Sequence, residues 1–247
     1  MNPKGNGLLA AILVFSAASL AGLSPAADRA EKKTPKQALQ ALNDLIGNWR
    51  CTGEPNGTAE EKQRNWWREK IAWEWRFNGK DVCLHADFDK GKHFNNAELR
   101  YLPNKERYQL AAITPAKETL VFEGTLDRNR LTLERTDDKK NEKQRLVVSL
   151  LHFNRYVYRY EVKAADRADF KEIYRVGATK EGVEFAGDDD NKPECVVSGG
   201  LGTMAVTYQG KTYYVCCSGC RRAFGDDPEK YIKEFEERKK AKAKRTR

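Results

Sequence analysis

The chain has 247 residues, of which 40% are hydrophobic and 33% charged, with a formal net charge of +9. That length supports one or two domains with real cores, and that composition excludes a mostly membrane-embedded chain. The charge excess sits in "RKKAKAKRTR" at 238–247, which holds seven basic residues and no acid. The rest is nearly balanced, so the basic character belongs to a tail, not to a nucleic-acid-binding face. A basic tail of this kind is expected as a solvated, disordered end, with contact to an anionic surface or polymer as the other reading.

At the N-terminus, Lys4 precedes an apolar run from Leu8 to Gly22 and then "LSPAA". Ser24 and Ala26 satisfy the small-residue rule for cleavage after Ala26, with Ala27 a near alternative. This predicts a signal peptide over 1–27 and a periplasmic or secreted protein. The run of 15 residues is short of the roughly 20 that cross a bilayer. No later run is long enough, so no transmembrane segment is expected after cleavage. No cysteine follows the run, which argues against a lipidated N-terminus. Export also argues against nucleic acid as a partner. In an oxidising compartment thiols pair unless a metal or a partner protects them. The six cysteines, Cys51, Cys83, Cys195, Cys216, Cys217 and Cys220, must be read in that light.

Residues 34–45 read as a short amphipathic helix, with Thr34 as N-cap and Pro35 at its first position. The period then changes to two. In "NWWREKIAWEWRF", Trp67, Ile71, Trp73, Trp75 and Phe77 share one face, and Arg68, Lys70, Glu74 and Arg76 the other. Alternation continues through Val82–Phe88, Ala97–Tyr101, Tyr108–Ala112, Leu120–Phe122, Leu131–Leu133, Leu146–Leu150 and Tyr156–Val162. A less regular strand follows at about 170–177. Short polar turns such as "NGKD", "LPNKE", "LDRNR" and "HFNR" separate them. About nine or ten consecutive strands with tight turns predict an antiparallel meander. Closing it into a barrel removes its two edges.

"GNW" at Gly47, Asn48 and Trp49 follows the helix and opens the first strand. It resembles the G-x-W signature of lipocalin-like barrels over roughly 40–178, within an expected barrel domain of 34–178. The resemblance implies a barrel that can hold a small apolar ligand, and the Trp- and Tyr-rich inner face would suit one. The other reading is a barrel filled by its own side chains. A haem-binding barrel would need an axial ligand among His85, His93 and His152. Of these, His85 has the polar parity of its strand and His152 sits at a turn. Cys51 shares the inward parity of Trp49, whereas Cys83 has the outward parity, so their pairing stays open.

Residues 179–193, rich in acids and Gly, read as a linker. Beyond it, "AVTY-QGK-TYYV" reads as a β-hairpin with Gly210 at the turn. Cys216 ends its second strand, and Cys220 lies about one turn into the next helix. Asp227 and Pro228 open a second helix, "DPEKYIKEFEERKK". Twenty residues separate Cys195 from Cys216, and three separate Cys216 from Cys220. A thiolate at a strand end and one at a helix start can converge, and the helix N-terminus favours the thiolate form. A distant cysteine on a knuckle then completes a soft-ligand site.

Segment 194–236 resembles the YHS/TRASH domain, a small treble-clef-like module with a C-x(19–22)-C-x(3)-C pattern. The shared features are Tyr213–Tyr214 before the second cysteine, Phe224 after the third, and Asp227 to Tyr231. The resemblance implies a zinc or copper site with Cys195, Cys216 and Cys220 as ligands. The opening "PECVV" departs from the commoner "DPVCGM", and no histidine lies in the module, so the fourth ligand is undefined. Cys217 should point away from Cys216, either as packing or as a spare ligand; Asp226 and water are other candidates. Disulfides within the module, or a redox Cys217-Ser-Gly-Cys220, are the competing readings. Tyr213, Tyr214 and Phe224 are expected to form a small core.

The expected architecture is mainly β: a lipocalin-like barrel, a treble-clef-like YHS/TRASH module and a basic tail over 237–247. No Ser/His/Asp set, phosphate loop or paired-carboxylate motif stands out, so no enzyme is expected. The leading function is metal binding, sensing or trafficking in the cell envelope. The alternative is an apolar-ligand carrier whose cysteine module is a structural staple.

Overall fold

Alternation along "WREKIAWEWRFN" builds the longest strand, β2 (Trp67–Asn78), in a computed structural model that describes residues 32–79, 81–182 and 193–245. The expected signal peptide and most of the expected linker lie outside the described residues. Around β2 run β1 (Gly47–Pro55), β3 (Asp81–Asp89), β4 (Asn96–Leu102), β5 (Arg107–Ile113) and β6 (Thr119–Asp127). The meander continues through β7 (Arg130–Asp137), β8 (Glu142–His152), β9 (Arg155–Ala164) and β10 (Lys171–Lys180). Each strand pairs antiparallel with the next, and β10 returns to β1, so the ten strands close into a barrel. Closure leaves no edge to cap by aggregation. The irregularity of the last strand is a register shift between Glu172 and Tyr174, which turns Ile173 outward.

The helix expected over 34–45 is divided. Helix α1 (Pro35–Gln40) starts with a Thr34–Gln37 capping box and is followed by a 3-10 turn, Asn43–Leu45. Together they plug one end of the barrel. Leu39, Leu42 and Leu45 are buried there, and the Tyr108 hydroxyl donates to the Ala38 carbonyl. The plug also satisfies two buried indoles. Trp49 Nε1 donates to Leu45 O at 2.7 Å, and Trp75 Nε1 donates to Asn43 Oδ1 at 3.1 Å. Burying aromatic and aliphatic side chains of this size contributes about 1.5–3 kcal/mol each. Helix α2 (Ala59–Asn65), with its own Thr58–Glu61 capping box, went unread in the sequence although T-x-x-E is a helix-start signal.

The interior is filled. Its apolar centre, between Leu45, Trp73, Leu99 and Leu133, leaves a cavity of about 40 Å³. At the far end Glu69 points inward between Trp67 and Ile71. Its carboxylate accepts from Tyr158 OH at 2.7 Å, Trp67 Nε1 at 3.1 Å and Lys92 N at 3.2 Å.

The C-terminal part consists of a hairpin, β11 (Met204–Tyr208) and β12 (Lys211–Val215), then α3 (Ser218–Asp226) and α4 (Pro228–Arg245). Gln209 and Gly210 both have positive φ, 49° and 73°, the conformation that suits a two-residue hairpin turn. Asp227 Oδ1 accepts from Lys230 N at 3.2 Å at the start of α4. The tail expected as disordered continues α4 as far as Arg245. The reason is local: Arg238 and Lys242 reach back to Glu194, Arg238 at 3.2 Å and Lys242 at 2.5 Å. Residues 246–247 lie outside the described residues. Val196, Val197, Val215, Phe224 and Tyr231 join the same hydrophobic cluster as the barrel core.

Candidate metal centre

Cys195 opens a tight knuckle. Its N–H donates to Gly200 O at 2.7 Å and its carbonyl accepts from Gly199 N at 2.9 Å. Val196 N donates to Tyr214 O, which ties the knuckle beside β12. Three other elements hold it in place. Arg238 of α4 donates to Cys195 O and Val196 O, at 3.2 and 2.9 Å. From the plug, Gln40 and Asn43 side-chain amides both donate to Ser198 O, at 2.9 and 3.0 Å. Asn43 thereby links the knuckle to the indole of Trp75.

The hairpin delivers Cys216 directly after β12, and α3 presents Cys220 in its first turn. The sulfurs of Cys195, Cys216 and Cys220 all lie within 4.8 Å of one another, and Cys216 and Cys220 are 3.5 Å apart. Sulfurs bound to one zinc-sized ion at about 2.3 Å each stand about 3.8–4.0 Å apart. The trio is therefore at ligand spacing. Cys195 and Cys220 are fully buried, and Cys216 is partly exposed. Ser198 supplies a second layer: its N–H donates to Cys195 Sγ at 3.4 Å, and its hydroxyl meets Cys216 Sγ at 3.3 Å.

Cys217 does not point away from Cys216. Their sulfurs are 3.8 Å apart, because Cys217 sits at the N-cap of α3 in extended backbone and turns its side chain back under the helix start. Its sulfur accepts from Trp75 N of the barrel at 3.3 Å. Strand β1 stops pairing with β2 at Gly47 opposite Trp73, so the Trp75 main chain has no strand on that side. The start of α3 fills this gap. A Cβ on Gly219 would come within 1.5 Å of Trp75 O, so glycine alone allows the approach. Ser218 hydroxyl donates to Glu74, and Arg222 pairs with Glu74 at 3.7 Å.

The four sulfurs share their protons unequally. Cys195 and Cys217 are held below the ordinary thiol value, first by hydrogen bonding with Cys216 and then with Cys220. Cys216 is pushed up, chiefly by its hydrogen bond with Cys195, and Cys220 is pushed up, chiefly by burial. The thiolate is the form that binds a metal.

A groove of about 640 Å³ runs between the barrel rim and the module. Its walls include Ala72, Glu74, Asp87, Met204, Cys216 and Cys217. Cys195 and Cys220 are not on its walls.

The other expected site residues lie apart. All six cysteines are unpaired in the structure. Cys51 faces inward on β1 and Cys83 outward on β3, with β2 between them. They stand opposite Glu69 and Arg76 of β2, seven positions apart. That separation is roughly 23 Å along a strand, far beyond disulfide reach. His85 is on the outer face with Nε2 3.1 Å from Asp87, and His152 Nδ1 is 3.0 Å from Asn154 at a turn. His93 is stacked on Tyr174 with ring centroids 4.0 Å apart. Of the expected aromatic core, Phe224 is buried with Tyr213 against it, but Tyr214 is 38% exposed because alternation on β12 turns it outward. Sequence reasoning missed Glu69, although its parity with Trp67 and Ile71 places it inward. It also missed the Trp75 amide, for which no side-chain signal exists.

The YHS domain model matches residues 203–234. The matched segment contains Cys216, Cys217 and Cys220 and begins after Cys195. The chain thus carries a YHS domain behind a ten-stranded barrel, with a cysteine cluster compatible with metal binding. No curated protein matches the chain. Among solved structures it is similar to Rv2717c from M. tuberculosis, at 15% identity and a TM-score of 0.36, over 58% of this chain and 97% of that one.

Proposed function

We propose that this is an exported, non-enzymatic protein of the cell envelope that binds a soft or borderline metal ion, Zn(II) or Cu(I), for sensing or trafficking. Cys195, Cys216 and Cys220 would hold the ion. The observation that carries this reading is the trio of sulfurs within 4.8 Å of one another, with Cys216 and Cys220 inside the YHS-matched segment and Cys195 just before it. Thiolate donors without nitrogen or carboxylate partners favour Cu(I) and Zn(II) over harder cations. Cys216 faces the groove, so the ion is better read as exchangeable cargo than as a sealed staple. The apolar-ligand reading has less support: the interior cavity of about 40 Å³ compares with roughly 300–1,000 Å³ for ordinary ligand pockets.

The test is to purify the mature protein from the cell envelope and measure bound metal and free thiols on one sample. The expected result is about one ion per chain, with the module's thiols released by chelator alone, and Cys216→Ser folded but unable to retain the ion. A protein without metal, whose thiols appear only after reductant, would be disulfide-stapled and would end this reading.

A further inference from the structure

Two of the four clustered cysteines line the groove, the partly exposed Cys216 and the buried Cys217, which keeps 7% of its surface, while Cys195 and Cys220 are fully buried and off its walls. An ion that reaches the trio from the groove meets this pair before Cys195 and Cys220. Cys216 already belongs to the trio. Cys217 does not, yet its sulfur lies 3.8 Å from that of Cys216 and is steered toward it by the Trp75 N–H. Met204 adds a thioether-bearing side chain to the same wall.

We propose that Cys217 is the exchange thiolate of this site: it binds the ion transiently on the groove side and passes it to and from the trio of Cys195, Cys216 and Cys220. The inference rests on the metal-binding reading above and adds a direction of entry and a division of labour among the sulfurs. Each transfer is a ligand substitution. A metal–sulfur bond forms at Cys217 as one to the donor breaks, and a bond to Cys216 then forms as the one to Cys217 breaks. The oxidation state of the ion is unchanged, and the proton of the incoming thiol leaves to water in the groove. The Trp75 N–H keeps Cys217 next to the trio without making it a permanent member. A sulfur that accepts a main-chain hydrogen bond returns to it when the ion moves on.

The test uses the full mature chain loaded with Cu(I), mixed with excess chromophoric Cu(I) chelator in a stopped-flow instrument. Wild type is compared with Cys217→Ser and with Ala72→Trp. Serine can still accept from Trp75 N–H, so docking of the module is kept. Ala72→Trp adds bulk to the groove wall at an exposed β2 position and touches no sulfur. Both variants are expected to keep the wild-type ion stoichiometry and melting temperature while releasing the ion roughly tenfold or more slowly. Cys217→Ser releasing at the wild-type rate would overturn the proposal. So would loss of the ion from Cys217→Ser, which would make Cys217 a permanent ligand. Ala72→Trp at the wild-type rate would overturn the groove as the route. Wild type that fails to load would overturn the metal-binding reading and this one with it, whereas a loaded wild type with a fast Cys217→Ser overturns this one alone.

Discussion

The barrel and the YHS module solve the same problem, burial of a core, with different means. The barrel uses ten hydrogen-bonded strands and a continuous interior of large side chains, and it closes on itself. The module has two five-residue strands, two helices and a handful of buried apolar residues. A lone two-stranded hairpin is marginal in water, and a unit this small usually needs a metal, a disulfide or a neighbour. Here the neighbour is the barrel, whose incomplete β1–β2 pairing accepts the start of α3. The candidate site is therefore not a self-contained bead. Its walls come from the plug, from β2 and from α4.

The largest expected effect separates side chain from main chain at one residue. Trp75→Ala removes a fully buried indole and its bond to Asn43 and should cost about 3–5 kcal/mol, read by urea unfolding. The amide that holds Cys217 is untouched, so metal stoichiometry should survive in the folded fraction. Loss of stoichiometry would mean that the indole, not the amide, organises the site. Next comes Gly219→Ala, whose added Cβ collides with Trp75 O. It should cost about 1–3 kcal/mol and make residues 193–245 the first to be cut in limited proteolysis, with the barrel intact. Equal protection of both parts would show that docking does not depend on this contact. Arg238→Ala frees the knuckle carbonyls and should destabilise by about 1–2 kcal/mol, seen as faster amide exchange at 195–200. Unchanged exchange there would assign the knuckle to the plug alone.

The smallest effect belongs to the barrel. Burial, and then the charge of Lys92, push His93 down from its ordinary value to about 4. The unfolded chain therefore binds a proton between pH 6.5 and 4 that the folded chain refuses. The contribution is complete above pH 6.5 and is lost as pH falls towards 4. Because the imidazole is only partly buried, a shallow slope is expected, and His93→Phe should flatten it in pH-dependent thermal melts. An unchanged slope in that variant would point to another group.

How far the sequence could be read follows from which interactions carry a pattern. The barrel announced itself through period-two alternation, because each strand has one wet and one dry face. Glu69, an inward carboxylate satisfied by Tyr158 and Trp67, was passed over because its polarity hid what its parity shows. The three cysteines of the trio were legible through spacing. Cys217 was misread because chain neighbours usually diverge, and here an N-cap conformation folds the second one back. The helical continuation through the tail was hidden because lysine and arginine runs read as solvated until Glu194 is known to face Arg238 and Lys242. The junction itself was invisible, since it is made by a peptide group that every residue but proline carries.

A joint built on the Trp75 N–H and C=O is written in strand length, not in residue identity. Substitution at position 75 alters the plug but leaves the joint its two main-chain groups. A one-residue insertion early in β1 or a deletion in the β2–β3 turn would instead slide a different peptide group into the gap and face Cys217 with the wrong polarity. Variation in this protein should therefore be permissive in spelling and strict in frame along β1 and β2: many side chains tolerated, few changes of length.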